Sequence, residues 1–458
     1  MSTSNAFVSW PTAPLTLALV QKALSSLPVV FDTAARIPGN GGKLDKLVQW
    51  STYDEIDHDL TYTSQHSVLS SSYIIRKALI RKHFLARCVQ SYLAKHPDSV
   101  LRNAVPKTWE LEISFADELD DMWADDLWDL GLEMDDKTEG ARKWWILKPG
   151  MADRGQGIRL VDSKEALQQV FEDFEGDEEE GEAQSEGEDG DLDTAVIISQ
   201  LRHFVIQEYI STPLLLDPYQ VLLDSSIARP LDALKGHKFH LRAYCIAQGA
   251  LKVYIYTRVL ALFSSKPYFA PTQPDSDSSP SSGIDLAPHL TNTALQTHRG
   301  EEGVRLFDEL VGCQILSQPT AEGPIALTAV HIAGIQDQMA NIIAETFQAV
   351  LETPVHFQPL PNAFELYGVD FLVSYSPSSE SFSEPKFQVQ LLEINAEPAI
   401  ELTGARLTWI LEDLFEAIGT VCVLPFIQDI AEEDWTVGET RHLLRKCLDS
   451  EVRGAGGW

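Results

Sequence analysis

A carboxylate set inside an apolar run most narrows what this chain can fold into. Leu391-Leu392-Glu393-Ile394-Asn395 places an acid and a carboxamide two residues apart among aliphatic neighbours, and Gly368-Val369-Asp370-Phe371 puts a second acid in a similar setting. In a β-strand alternate side chains share a face, so Glu393 and Asn395 point the same way. Burying an acid is costly unless something positive meets it, so the fold has to bring cations to these strands. Oxygen donors of this kind suit a hard cation, and Mg²⁺ typically brings phosphates with it. The expectation is a nucleotide–Mg²⁺ site.

The cations are readable elsewhere. Lys238, His240 and Arg242 alternate along a strand over Lys238–Cys245 and share one face, which suits contact with a polyanion; alone, it also fits a solvated sheet face. Its antiparallel partner, Leu251–Leu262, is joined through Gln248-Gly249-Ala250, and Arg258 on that strand is placed to join the same face. Lys148 ends the strand Trp144–Leu147, ahead of a flexible loop from Gly150 to Gly157 and a second strand, Ile158–Val161. In such a hairpin the Gly-rich turn lets backbone N–H groups approach phosphate oxygens. It is not a Walker A loop, because Gln156 stands where Lys must follow Gly155. Alone, it also fits an ordinary turn with a surface lysine. A zinc reading of His237 and His240 lacks a third ligand, Asp57-His58-Asp59 reads as a polar turn, and no GxSxG elbow occurs.

The chain has 458 residues, enough for two or three domains, and a formal net charge of −33. Much of that charge lies between Glu172 and Asp193, which reads as a solvated, disordered insertion. Such acidity argues against nucleic-acid binding and against anionic membranes. Five cysteines stand far apart without CxxC spacing, as in reduced intracellular thiols. No basic leader and no run of ~18 apolar residues is present. The expectation is a soluble cytoplasmic protein. Residues 6–70 read as a small α/β lobe. Ser72–Lys95 reads as one helix with a basic face of Arg76, Lys77, Arg81 and Lys82. Phe204–Ile210, Leu366–Val373 and Phe387–Ile394 read as strands, 324–352 as a long helix, and a final helical stretch runs from about Gly404. Many antiparallel strands without βαβ succession give an α+β class.

In order, WILKPGMADRGQGI, FVIQEYI, KFHLRAYCIA, the Arg258 strand, HLTNTALQ, ELYGVDFLV and LLEINAEPA resemble the tubulin–tyrosine ligase family of the ATP-grasp superfamily. The resemblance spans about residues 72–412. It implies two lobes of antiparallel sheet plus helices that clamp ATP, divided as an N-terminal lobe (1–71), a central lobe (72–235) and a C-terminal lobe (236–458). It implies that Lys148, with Arg154, Gly155 and Gly157, holds phosphates, and that Gln207, Glu208, Tyr209 and Ile210 form the hinge that reads adenine. Lys238, His240, Arg242 and Arg258 would face the phosphates and the carboxylate being activated, and Asn292 would help position the reacting groups. Asp370, Glu393 and Asn395 would hold Mg²⁺. Two positions depart from the family pattern: His240 stands where an acid is usual, and Glu208 where Lys is frequent.

The family chemistry turns a carboxylate into an acyl phosphate with ATP, and the amine of a free amino acid then displaces phosphate. The implied acceptor is the acidic tail of tubulin or a similar protein tail, and the donor is tyrosine or glutamate. The basic helix around Arg76–Lys82 would be a local docking patch for it. A second reading is a pseudo-ligase that keeps the fold and serves as a scaffold. Fungal members of the family link that reading to cytoplasmic mRNA-decay bodies and their proteins. A third is an ATP-grasp ligase for small molecules.

Overall fold

A computed structural model describes residues 3–34, 37, 46–136, 143–150, 157–183, 202–221, 223, 230–272, 284–291, 300–317, 325–375, 387–431 and 435–451, without the side chains of 176–183 and 402. The chain begins with four short strands: β1 (Thr3–Phe7), β2 (Val30–Ala34), β3 (Leu47–Gln49) and β4 (Val68–Ser70). They form a parallel sheet in the order β2-β1-β3-β4. Parallel neighbours need a crossover, and the helix Pro14–Ser26 supplies the first one. Proline in its first turn costs no hydrogen bond, and Leu19, Val20, Ala23 and Leu24 form its buried stripe.

The second sheet is antiparallel, with β5 (Thr108–Glu112), β6 (Trp145–Pro149), β7 (Arg159–Val161) and β8 (His203–Glu208) in the order β5-β8-β6-β7. Strand alternation divides its two faces. Trp145, Leu147, Phe204 and Ile206 pack with Leu167, Phe171 and Phe174 of the helix Lys164–Ala183. Ile146, Lys148 and Gln207 look the other way, into a cleft.

Over 172–183 that helix departs from the sequence reading of 172–193 as a disordered insertion. It continues to Ala183, while 184–201 lie outside the described residues. Ser163 Oγ accepts from Ala166 N at its start, the apolar residues 167, 171 and 174 recur at helical spacing, and glutamate favours helix. Charge density alone does not melt a segment anchored in this way.

The third sheet holds β9 (Leu215–Leu216), β10 (His237–Gln248), β11 (Lys252–Tyr256), β12 (Leu260–Phe263), β13 (Val304–Leu306), β14 (Phe364–Tyr375), β15 (Phe387–Ala396), β16 (Thr440–Arg441) and β17 (Leu444–Asp449). β10 is its axis, antiparallel to β14 along one edge and to β11 and β12 along the other. The expected single strand Leu251–Leu262 is interrupted at 257–259, where the register against β10 slips from Cys245↔Ile255 to Arg242↔Leu260.

Odd-numbered residues of β10, from Phe239 to Ala247, face a core built with the helices Lys82–Lys95 and Ala329–Leu351. The opposite face is shared. Tyr244 and Ile246 lie in the core beside the N-terminal lobe and the helix Thr408–Ile418, whereas Lys238 and His240 line the cleft. The predicted helix Ser72–Lys95 also resolves differently. It begins at Lys77, breaks at Arg81 in extended conformation and resumes at Lys82. Arg76 is buried on Glu365, so a continuous basic docking face is absent among the described residues.

Candidate active site

A cleft with a cavity of about 70 Å³ lies between the second and third sheets. Its apolar wall includes Ile146, Ile158, Tyr209 and Leu290, which form one small cluster. Lys148 and Lys238 enter from opposite sheets. Lys148 Nζ donates to Gln207 Oε1 at 2.8 Å, and Gln207 Nε2 donates to Thr108 Oγ1 at 3.0 Å. Lys238 Nζ donates to Tyr209 Oη at 3.2 Å and lies 4.3 Å from that ring's centroid. Burial pushes the Lys148 ammonium down to about 8, opposed by the carboxylate of Glu393. Burial, aided by the Lys148 charge, pushes Lys238 down to about 7. Two buried lysines held against their own charge form a site that favours an anion.

The acids meet these cations in strand register. Arg242, Asp370 and Glu393 sit directly opposite one another across β10, β14 and β15. Gly368 and Asn395 form the next pair. Glu393 and Asn395 therefore share a face with Asp370, and Asn395 Nδ2 lies 3.5 Å from Asp370 Oδ2 and 3.3 Å from Glu393 Oε1. A bulge at Leu392, between the pairs Asp370↔Glu393 and Phe371↔Leu391, also lets Leu392 line the cleft. Arg242 holds Asp370 through Nε–Oδ1 and through Nη2–Oδ2 at 2.8 Å. Burial opposes the Arg242 charge, but Asp370 outweighs it and raises its pKa. Gly368 makes room for this guanidinium: a Cβ there would lie 3.2 Å from Arg242 Cδ and 2.8 Å from Pro398 Cβ.

Glu393 has a partner that the sequence reading placed in a basic docking patch. Lys82, at the start of the helix Lys82–Lys95, places Nζ 3.1 Å from Glu393 Oε2. Burial would raise the Glu393 carboxyl, but Lys82 and Lys148 outweigh it and hold the group well below the usual range. The side chain is 23% exposed, so solvent screens part of that pull. His289 and Thr291 were also missed as site residues. His289 Nδ1 is 3.0 Å from Tyr209 Oη, and Thr291 Oγ1 is 2.6 Å from His240 Nδ1. Their signal lay in HLTNTALQ, whose hydroxyl also fits a helix cap.

His240 Nε2 is buried without a hydrogen-bond partner and lies 3.5 Å from Asp370 Oδ1. Burial lowers its pKa, with Asp370 working against the shift. Among the described residues no three His, Cys, Asp or Glu side chains gather for a metal. The oxygen set is two carboxylates and one carboxamide, a donor chemistry that fits a hard cation completing its shell with water and phosphate.

The remaining expected residues divide three ways. Gly157 stands at φ 70° where β7 begins, a conformation that favours glycine. In the hinge, Glu208 N donates to Lys107 O and Tyr209 N to Trp144 O, so those two N–H groups serve the sheet. Arg258 lies in the interruption between β11 and β12. Its guanidinium stacks 4.3 Å over Trp409 and reaches Asp413 at 3.2 Å, and it is not among the residues lining the cleft. Arg154, Gly155 and Asn292 lie outside the described residues.

The model of the tubulin-tyrosine ligase family matches residues 68–430. A probable tubulin–tyrosine ligase of Schizosaccharomyces pombe is 38% identical over 389 residues, covering 83% of each chain. The probable tubulin–tyrosine ligase PBY1 of Saccharomyces cerevisiae is 36% identical over 96% of this chain, which spans 54% of that protein's length. The crystal structure of the C-terminal domain of K. lactis Pby1, an ATP-grasp enzyme interacting with the mRNA decapping enzyme Dcp2, superposes with a TM-score of 0.62. It is 26% identical, over 98% of this chain and 100% of that one. The α+β architecture, with its small N-terminal lobe and two sheets facing across a cleft, is an ATP-grasp fold, and the chain belongs to the tubulin–tyrosine ligase family.

Proposed function

We propose that this chain is an ATP- and Mg²⁺-dependent ligase that joins an amino acid to a protein carboxylate, with the acidic tail of tubulin as the leading acceptor. The observation that carries the reading is the registered row Arg242–Asp370–Glu393 at the edge of a cleft holding two buried lysines. Lys148 and Lys238 would bind phosphate oxygens, and Tyr209, Ile146 and Leu290 would enclose the base. Adenine contacts from the hinge fall to its carbonyls and to Ile210. Asp370, Glu393 and Asn395 would hold Mg²⁺, whose charge offsets the repulsion between a carboxylate and a triphosphate.

In the first step the acceptor carboxylate oxygen forms a bond to the γ-phosphorus as the bond to the ADP oxygen breaks, giving an acyl phosphate and ADP. In the second, the donor amine forms a C–N bond as the C–O bond to phosphate breaks. Inorganic phosphate leaves and the nitrogen gives up its proton to solvent. Arg242 lies where it can neutralise the carboxylate's approach. Arg258 joins this set only on release from Asp413.

The test is to incubate the protein with ATP, Mg²⁺, labelled tyrosine or glutamate, and tubulin. Label on tubulin that vanishes in Glu393→Ala supports the ligase; ATP binding without transfer to any acceptor opposes it. A second reading, a cytoplasmic scaffold acting with mRNA-decay proteins, is favoured by two observations. K. lactis Pby1 interacts with Dcp2, and both acids are already engaged by Arg242 and Lys82.

A further inference from the structure

The helix Trp128–Asp135 has two faces of different character. Leu130 and Met134, with Leu127 just ahead of the helix, are buried behind the second sheet against Trp145, Leu147 and Phe204. Trp128 and Leu132, four residues apart and so neighbours on the outer face, are 57% and 54% exposed. An indole and an isobutyl group left side by side in water form the kind of apolar patch that another molecule covers.

The charge around this pair is one-sided. Residues 108–136 carry twelve aspartates and glutamates and no lysine or arginine. Among the described residues, four cations reach the segment from outside. Arg87 meets Glu110, Lys107 and Lys143 share Glu133, and Lys164 meets Asp135. Asp120, Asp121, Asp125, Asp126 and Asp129 are exposed and pair with no cation among the described residues. Asp125 lies one hydrogen-bonded turn before Trp128, whose N–H donates to Asp125 O at 3.1 Å, and Asp129 follows the indole directly.

Lys164 shows what such a surface holds. Its ammonium donates to Asp135 Oδ2 at 2.6 Å and lies 5.3 Å from the ring centroid of Trp123, so one cation serves an acid and an indole together. Trp128, with Asp125 and Asp129 before and after it, offers the same combination with no cation from the described residues. A second copy in a two-fold contact would set these acids against themselves, and nucleic acid and anionic lipid are repelled likewise.

We propose that this outer face docks a basic amphipathic segment of another protein. The segment's apolar side covers Trp128 and Leu132, one of its lysines or arginines stacks on the indole, and flanking cations meet Asp125, Asp126 and Asp129. The face lies behind the second sheet, on the side turned away from Ile146, Lys148 and Gln207. A docked segment therefore leaves the cleft open, and the docking stands whether or not the chain transfers an amino acid.

The test uses the whole chain and fluorescein-labelled synthetic peptides in anisotropy titrations. The peptides are an amphipathic helix of leucine, lysine and arginine, an oligolysine of the same charge, and the amphipathic helix with glutamate at every cation. The first is expected to bind at least ~10-fold more tightly than oligolysine, less tightly as salt is raised, and the acidic one not at all. Trp128→Ser/Leu132→Ser weakens it ~10-fold or more, as loss of a central apolar anchor does. Asp125→Asn/Asp129→Asn weakens it ~3-fold or more at low salt and less at high salt. All four side chains are exposed, so both variants keep the melting temperature of the wild type, checked by circular dichroism. Equal affinity of the wild type and both variants, oligolysine binding as tightly as the amphipathic helix, or no binding of either basic peptide overturns the proposal. So does a wild-type chain that sediments as a dimer and turns monomeric in Trp128→Ser/Leu132→Ser, because a second copy then covers the face.

Discussion

At Lys238 the ligand-free chain carries a cation that burial has pushed down to about 7, against ~10.4 in an unfolded chain. Between those values the unfolded chain holds a proton that the folded chain lacks, so this group makes stability rise with pH from about 7 upward. Lys238→Met removes that contribution. The melting temperature of the variant rises less steeply between pH 7 and 9 than that of the wild type. At pH 7 the variant is more stable, by on the order of 1 kcal/mol. The same substitution weakens ATP by about 10–100-fold, since a hydrogen bond to a charged group contributes ~1.5–3 kcal/mol. Phosphate binding restores the proton, so calorimetry at pH 8 in buffers of different ionisation enthalpy should record proton uptake in the wild type and less in Lys238→Met. Asp370 acts in the opposite sense. Asp370→Ala leaves Arg242, whose side chain is 17% exposed, without its partner. Urea denaturation should register a loss of about 3 kcal/mol.

Individual elements show why some features were legible in the sequence and others were not. Period-two alternation put Lys238, His240 and Arg242 together on one side of their strand, and Glu393 and Asn395 together on one side of theirs, because strand geometry follows directly from spacing. Pairing across strands does not follow from spacing. That Arg242, Asp370 and Glu393 form one row depends on the register of β10, β14 and β15, and on the bulge at Leu392. The break at Arg81 escaped notice because the helical period continues through it; the turn that aims Lys82 at Glu393 has no local sequence mark. The interruption at 257–259, which carries Arg258 toward Asp413, was hidden in the same way. In the acidic segment, composition argued for disorder and the period of Leu167, Phe171 and Phe174 argued for helix. The period prevailed as far as Ala183. Phe171→Ala tests this anchoring: it should lower stability by about 3–5 kcal/mol and reduce helical circular dichroism.

On the scale of the whole molecule, the third sheet serves two purposes with one face. One end of β10 is closed by the N-terminal lobe and the helix Thr408–Ile418, while the other is left open to the second sheet. Charge is divided likewise: inside a chain of net charge −33 the cleft sets Lys148 and Lys238 against Asp370, Glu393 and Glu208. The acidic protein tail proposed as acceptor would therefore meet long-range repulsion that salt screens beyond ~8 Å, and its capture would depend on local contacts at the cleft. No helix among the described residues is long and apolar enough to cross a membrane. On this reading the two facing sheets form a Mg²⁺-dependent ATP site whose metal is held at Glu393. Its most direct test is calorimetric titration of the wild type and Glu393→Ala with ATP, each with and without Mg²⁺. Mg²⁺ should tighten ATP binding to the wild type by tenfold or more, about 1.4 kcal/mol, and have little effect on the variant. Equal Mg²⁺ dependence in both proteins, or no ATP binding to the wild type, would contradict it.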